Sequence, residues 1–218
     1  MLVKNKQFGL TLIEMLIAMV LGLFVTAVII TVFSTNVRSS TENIKMIRLN
    51  QELRGAMTFM VDELKRTGYS AHPTSPAGPR NPAFMTAFHP VNSSCILYSY
   101  DNNGDGLRDS DEHFGFRLDA SVDQIKWASD ATDNCSFGES ITDVNMAKIT
   151  ALDFDISGSA NINGTTGLDT LSTTTGVSVY DVTITLTGTT DLPHSSNAND
   201  PRRTITETIR IRNEDPKD

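Results

Sequence analysis

The sequence predicts an α+β protein in which a long N-terminal helix packs against an antiparallel β-sheet. Three observations support this. An apolar stretch opens the chain, apolar residues then recur at helical spacing, and the period changes to two after a proline-rich segment. Steps of three and four residues indicate an amphipathic helix, whereas alternation indicates half-buried strands. A helical part followed by a run of strands is typical of α+β architectures.

The apolar stretch 10–33 predicts a membrane-spanning helix. It contains one charged residue, Glu14, and no proline. As a helix it is about 36 Å long, enough to cross a hydrocarbon layer of about 30 Å. A cleavable secretory signal has a shorter apolar core that ends at small residues, and an ordinary signal anchor does not explain Glu14. An ionised carboxylate at this depth costs roughly 2.5–3.5 kcal/mol, so we expect a partner for it.

The segment 1–9 ahead of this helix predicts the orientation of the chain. It carries Lys4 and Lys6 and no acidic residue. Positive charge beside an apolar span is retained on the cytoplasmic side. We therefore expect a single-pass anchor whose C-terminal part is exported.

Residues 8–16, FGLTLIEML, resemble the leader of type IV prepilins. The resemblance implies that 1–9 is a leader which a prepilin peptidase removes by cutting between Gly9 and Leu10. It also implies N-methylation of Leu10, at a position where the family usually has phenylalanine. In that family, the glutamate at the position of Glu14 pairs with the terminal amine of a neighbouring subunit during assembly. The implied fold is type IV pilin-like. The implied location is the bacterial inner membrane, with the C-terminal part in the periplasm, and then the pilus or pseudopilus filament.

The segment 34–69 predicts an amphipathic continuation of the helix. Gly68 and the following Pro73 mark its end, and no proline interrupts residues 10–67. The proline-rich segment 70–82 predicts a loop, and we extend this connector to residue 93. The apolar residues that define the stripe are Ile44, Ile47, Leu53, Met57, Met60, Val61 and Leu64.

The remainder, 94–218, predicts a β-rich globular part. Alternating residues suit antiparallel strands with one buried face packed on the helix. The Gly-, Ser-, Thr- and Asn-rich segments 157–175 and 187–202 predict loops. The predicted strands are 95–100, 113–118, 124–128, 148–156, 176–186 and 203–212.

Two cysteines, Cys95 and Cys135, lie in the part predicted to be exported. An oxidising periplasm favours a disulfide between them. Closing a loop of about 40 residues stabilises a protein by roughly 3–4 kcal/mol on the chain-entropy model. Metal ligation is the alternative, but no Cys-x-x-Cys motif or nearby histidine pair accompanies the two residues.

The segment 101–112, DNNGDGLRDSDE, fits the pattern of a calcium-binding loop. Oxygen ligands would surround a hard cation, and Gly106 would permit the sharp turn. A structural calcium ion is one interpretation of this pattern. A solvated Asp- and Gly-rich turn between two strands is the other. The candidate ligands are Asp101, Asn103, Asp105, the backbone carbonyl of Leu107, Asp109 and Glu112.

The sequence carries no recognisable catalytic motif. Its four histidines are scattered, and neither a phosphate-binding glycine loop nor a G-x-S-x-G elbow is present. Eighteen basic against 26 acidic residues, a net charge of −8, argue against a nucleic-acid partner. We therefore predict that the protein is not an enzyme, and the calcium of the first interpretation is its one candidate cofactor.

The chain resembles PilW-type minor pilins at 51–54, 62–69, 95–101, 104–106, 114–118 and 210–213, and GspJ-type pseudopilins share the helix and sheet. The resemblance implies a low-abundance subunit that helps initiate or cap a type IV pilus, with roles in adhesion, twitching or DNA uptake. Its partners would be the prepilin peptidase, other pilins or pseudopilins, the inner-membrane assembly platform and the lipid bilayer. A type II secretion pseudopilin is one alternative. A membrane-tethered, calcium-dependent binding module is another.

Overall fold

The computed structural model describes residues 9–71, 83–86, 88–131, 135–161, 165–166, 176–192, 200–211 and 215–217. The predicted α+β class is confirmed, because one long helix, α1 (Leu12–Leu64), precedes antiparallel sheets. The chain forms two compact units, 1–44 and 45–218, so that α1 begins in the first and ends in the second.

The described part of the first unit consists of Gly9, Leu10, Thr11 and the helix from Leu12 to Ile44. Every residue from 9 to 41 is exposed, although most of those up to Phe33 are apolar. This is the single helix in the described residues that is long and apolar enough to cross a membrane, with a mean hydropathy of 2.8 in its most apolar window. Four threonine hydroxyls donate to the carbonyl four residues earlier, at 2.8–3.0 Å: those of Thr26, Thr31, Thr35 and Thr41.

In the second unit, one face of α1 is buried from Leu49 onward. Ile44 and Ile47, which the predicted stripe included, are instead about half exposed, at 47% and 55%. The helix ends at Leu64, three residues before the predicted end, and a turn over 65–68 reaches Gly68 with φ of 74°. The buried helical residues are Leu49, Leu53, Ala56, Met57, Met60, Val61 and Leu64.

The strands of the described residues form three antiparallel sheets. The first has the order β1-β2-β3-β4-β5, the second β11-β10-β6 and the third β12-β9-β7-β8. The strands of the first sheet are β1 (His89–Asn92), β2 (Cys95–Ser99), β3 (His113–Asp119), β4 (Gln124–Ala128) and β5 (Glu139–Ser140). The others are β6 (Lys148–Asp155), β7 (Ala160–Asn161), β8 (Thr165–Thr166), β9 (Gly176–Val179), β10 (Asp181–Thr189), β11 (Arg202–Arg210) and β12 (Asp215–Lys217).

The second half of the predicted connector, 70–93, is not a loop. A short helix, α2 (Ala83–Thr86), and the edge strand β1 lie there. Pro90 is tolerated because an edge strand leaves half of its N–H groups without a ladder partner. The side chain of Asn92 accepts a hydrogen bond from the Ser94 N–H at 2.9 Å and so closes the turn into β2.

Further boundaries differ from the prediction, since β10 continues to Thr189, three residues into the predicted loop 187–202. The predicted strand 176–186 is divided at Tyr180, so that β9 and β10 belong to different sheets. The short strands β7 and β8 lie within the predicted loop 157–175. Alternation does not mark strands of only two residues.

One core joins the C-terminal half of α1 to the first two sheets. The helix contributes the face that begins at Leu49, and the strands contribute Ile96, Phe116, Ile149, Ile184 and other residues that are fully buried. Aromatic rings of β2, β3 and β4 stack in this core, with Tyr100 and Phe114 at 4.2 Å between ring centroids.

Candidate functional site

The first turn of α1 holds the glutamate that the sequence singles out. The helix begins at Leu12, so Thr11 is its N-cap and Glu14 its third residue. The Glu14 N–H donates to Thr11 Oγ1 at 3.3 Å, while the N–H and hydroxyl of Thr11 each donate to Glu14 Oε2 at 3.4 Å. This reciprocal arrangement is a capping box, and it satisfies backbone donors that a helix start leaves open.

The surroundings of Glu14 make its charge distinctive. It is the only charged residue between Leu10 and Val37, and apart from Thr11 the residues around it are apolar and exposed. The positive end of the helix dipole also favours an anion in the first turn. The first turn therefore carries an isolated acceptor for a cation on a surface suited to lipid or to other helices.

Gly9 and Leu10 lie just before the helix. A Cβ added at Gly9 would meet no atom within 4 Å, so packing in the described structure does not require glycine there. Leu10 is 74% exposed. The residue types at these two positions thus have no explanation in the fold, and cleavage between them stays a prediction.

The loop 101–112 closes on itself through two buried carboxylates. Asp101 Oδ1 accepts from the Gly104 N–H at 2.6 Å, and its Oδ2 accepts from the N–H groups of Gly106 and Ala71, both at 2.9 Å. The side chain of Asp101 is 3% exposed. Gly104 and Gly106 have φ of 82° and 77°, values that favour glycine.

Glu112 closes the other end of this loop and is 1% exposed. Its Oε1 accepts from the N–H groups of Asn102 and Asn103 at 2.7 and 3.3 Å, and its Oε2 accepts from the Asp109 N–H at 3.1 Å. Backbone amides therefore supply partners for both buried carboxylates.

The remaining candidate calcium ligands face one another on the outside of the loop. The Asn103 amide donates to carboxylate oxygens of Asp105 and Asp109, at 3.3 and 3.2 Å. These oxygens are of the kind that calcium prefers. Within the described ranges, however, no group of three or more His, Cys, Asp or Glu residues is close enough to hold a metal ion. Calcium binding by the six candidate residues stays a prediction.

Cys95 and Cys135 form the predicted disulfide, with their Cα atoms 6.3 Å apart. The bond joins β2 to the segment that follows β4, and it lies in a small apolar cluster with Leu97, Ala131 and Phe137. It thus ties β2 covalently to the segment between β4 and β5.

A hydrogen-bonded aromatic group connects the last turn of α1 to the first sheet. Glu63 Oε2 accepts from the hydroxyls of Tyr98 and Tyr100, at 3.4 and 3.0 Å. Trp127 Nε1 donates to the Tyr98 hydroxyl at 2.8 Å, and the Arg66 guanidinium lies 4.1 Å from the centre of the Tyr100 ring. Burial, followed by the Glu63 charge, raises the pKa of both tyrosines well above its usual value. The two hydroxyls therefore remain donors to Glu63.

An apolar helix with one carboxylate near its start, continuous with a helix packed on antiparallel sheets, defines the class of type IV prepilin-like proteins. Residues 4–30 match the prokaryotic N-terminal methylation motif. Residues 42–211 match the family described as prepilin peptidase-dependent protein B, and the chain belongs to that family. No curated protein and no solved structure matches the chain significantly.

These findings confirm the resemblance to type IV prepilins. They support a pilin-type or pseudopilin role for the chain, and pilin-type families consist of structural, non-enzymatic subunits. The apolar helix and the prepilin motif also suit anchoring in the inner membrane.

Proposed function

We propose that this protein is a minor pilin that helps to initiate or cap a type IV pilus. The observation that carries the proposal is the exposed apolar helix on which Glu14 is the only charge before Arg38. Such a surface needs lipid or other helices around it, because exposed apolar area of this extent is unfavourable in water. Its carboxylate needs a cation once it leaves water.

Before assembly, the helix lies in the inner membrane with Lys4 and Lys6 on the cytoplasmic side and the β-rich part in the periplasm. The prepilin peptidase cuts between Gly9 and Leu10 and methylates the new terminus. The oxidising periplasm keeps the bond between Cys95 and Cys135 intact.

During assembly, helices leave the membrane and pack side by side. Glu14 then exchanges its bonds to Thr11 for the terminal amine of a neighbouring subunit. A bound pair of opposite charges is far less costly in apolar surroundings than either charge alone. The pair of Glu14 and the neighbouring amine therefore determines how far one helix is shifted along the other. The apolar residues of the two helices provide the contact area between them.

The protein acts as a structural subunit and catalyses no reaction in this proposal. Its direct partners are the prepilin peptidase, other pilins through α1, and the inner-membrane assembly platform. The network of Glu63, Tyr98 and Trp127 holds the sheet against α1 while the subunit is extracted.

The test is a deletion strain complemented with wild type, Glu14→Leu or Glu14→Asp. We expect deletion to abolish surface pili and twitching. We expect Glu14→Leu to reach the membrane in normal amount but not to restore them, whereas Glu14→Asp, which keeps the charge, restores them in part. Normal piliation with Glu14→Leu would contradict the proposal. Normal piliation of the deletion strain, with secreted enzymes retained in the periplasm, would indicate a type II secretion pseudopilin instead.

A further inference from the structure

The strand β11 forms an open edge of the second sheet. It pairs with β10 over nine residues without a bulge, and no strand within the described residues pairs with its other side. Seven of the residues before Arg210 are exposed or half-exposed, and Ile209 alone is buried. A long regular edge of this kind is a template for another strand.

The register shows which backbone groups face the open side. The Ile211 N–H donates to the Tyr180 carbonyl at 2.9 Å, and the pairing continues from there through Ile209 with Val182. In an antiparallel pair, every second residue directs both its N–H and its C=O to the partner strand. Odd-numbered residues of β11 therefore bind β10, and the backbone groups of residues 202, 204, 206 and 208 face outward.

The side chains on the core-facing side of β11 are an unusual set for an edge. Arg203, Ile205 and Glu207 lie opposite Gly188, Leu186 and Ile184 of β10, the last two of which are buried. Ile205 packs against the core but remains half-exposed.

The two charged residues of this set have no ion-pair partner within the described ranges. Arg203 and Glu207 are both exposed, and the ion pair on this strand is that of Arg210 with Asp181. Glu207 lines an open cavity of about 480 Å³ beside Ile209 and Lys65.

We propose that β11 pairs antiparallel with β11 of a second copy of this chain, centred on Ile205. In this register Arg203 of each copy lies opposite Glu207 of the other, so that two pairs of opposite charge form. Ile205 meets its own counterpart, and the outward backbone groups of residues 204 and 206 bind each other. Opposite charges and β-branched residues across an antiparallel pair are stabilising.

Shifted registers lack this match. Centring the pair on Thr206 places Arg202 opposite Arg210, and centring it on Glu207 places two glutamates face to face. Centring it on Thr204 leaves Arg203 opposite Ile205. Like charges directly across a pair are destabilising, so the charges select the register centred on Ile205.

The proposed pairing also continues two features of the sheet. On the outer face, hydroxyl pairs join the two strands at 2.8–3.3 Å, in Thr183 with Thr208, Thr185 with Thr206 and Thr187 with Thr204. The second copy would place Thr206 beside Thr204 and extend this row. On the core side, the two Ile205 side chains would cover each other and remove their exposed area from water.

Cysteine cross-linking of the full chain in detergent tests the register. Ile205→Cys would face its counterpart at a non-hydrogen-bonded pair, where Cβ atoms approach about 4.5–5.5 Å, close to the span of a disulfide. We expect a disulfide-linked dimer on a non-reducing gel. Thr208→Cys, whose counterpart would be Arg202, is the matched control and should stay monomeric. A mixture of Arg203→Cys and Glu207→Cys proteins should cross-link, although neither does so alone, and this arm leaves Ile205 intact.

Exchanging the charges of Arg203 and Glu207 tests whether these charges determine the register. In the Ile205→Cys background, Glu207→Arg should lower the cross-linked fraction several-fold, and adding Arg203→Glu should restore it. A monomer in both cysteine experiments, or equal cross-linking by Thr208→Cys, would overturn the proposal. Cross-linking of β11 only to a different pilin would overturn it as well.

Discussion

The carboxylate of Glu14 accepts both the N–H and the hydroxyl of Thr11, three residues earlier, at 3.4 Å. The threonine oxygen in turn accepts the Glu14 N–H at 3.3 Å. The residue expected to join neighbouring subunits therefore already has a partner within its own chain. In the proposed assembly, the charged terminal amine of a neighbouring subunit replaces the two neutral donors of Thr11.

Removing the Thr11 hydroxyl tests this arrangement. We expect Thr11→Val to loosen the first turn by about 1 kcal/mol, the typical contribution of an N-cap. Hydrogen exchange of the Glu14 amide in detergent micelles measures the effect. Thr26→Val is the matched control, since it loses an intrahelical hydroxyl bond to Gly22 in the middle of the helix and should leave the first turn unchanged. Equal exchange of Glu14 in Thr11→Val and wild type would contradict the capping role.

Processing should depend on Gly9 and not on glycine in general. We expect Gly9→Ser to accumulate as the unprocessed precursor in cells that contain the prepilin peptidase. Gly22→Ser, which also adds a side chain in open space, should be processed normally. An immunoblot that resolves the two sizes reports the result. A band of mature size in Gly9→Ser would place the cleavage elsewhere.

The disulfide should account for a large part of the stability of residues 45–218. Its ends are 40 residues apart, and replacing both cysteines by serine should lower the free energy of unfolding by about 3–4 kcal/mol on the chain-entropy model. Urea titration followed by Trp127 fluorescence measures this, with reduced wild type as the matched comparison. A loss below about 1 kcal/mol would mean that the unfolded chain already restricts this loop without the bond.

Acid should weaken the second sheet through Asp181. Hydrogen bonds from Arg210 lower the pKa of this carboxyl below its usual 3.8. A lowered carboxyl pKa contributes stability that is complete above pH 3.8 and is lost as the pH falls through the lower folded value. The pair is partly exposed, so its effect should be at most about 1 kcal/mol.

Arg210→Gln should therefore destabilise the protein more at pH 7 than at about pH 3, because the contribution of Asp181 declines below pH 3.8. Thermal unfolding at the two pH values measures this difference. Arg202→Gln, at the other end of the same strand, is the control and should have little effect at either pH. A loss of stability in Arg210→Gln that is equal at the two pH values would exclude the ion pair as its cause.

Calcium binding can be tested without disturbing the buried carboxylates of the loop. If Asp105 and Asp109 complete the site, calcium should raise the unfolding temperature of wild type, and the double variant Asp105→Asn, Asp109→Asn should lose this response. A ligand at 100 times its dissociation constant stabilises by about 2.7 kcal/mol. Asp153→Asn, which removes a carboxylate from β6 instead of from the loop, is the control. Identical melting curves of wild type with calcium and with chelator would favour the solvated turn.

The helix and its buried face were predictable because they depend on local periodicity. Leu53, Met57, Met60 and Leu64 recur at steps of three and four, and all are buried as predicted. Ile44 and Ile47 follow the same period but are exposed. The burial of these two residues depends on how far the packed strands extend along the helix. The periodicity of the helix alone does not contain this information.

The strand pairing was less predictable because it depends on contacts far apart in sequence. β10 lies between β6 and β11, and no local pattern specifies that order. The strand β1 was not predicted, because Pro90 argues against a strand unless that strand lies at the edge of a sheet. The partner of Glu14 was missed for a different reason. The Thr-x-x-Glu signature of a capping box is present at 11–14, but the apolar residues around it favour a membrane interpretation alone.

The threonines on the first part of α1 have a consequence for its passage between environments. Thr26, Thr31 and Thr35 each direct the hydroxyl to a carbonyl of the same helix. No outside donor or acceptor is needed for them, in fatty acyl chains or among protein neighbours. In the proposed function, the helix can therefore pass from the bilayer into a filament without breaking these bonds.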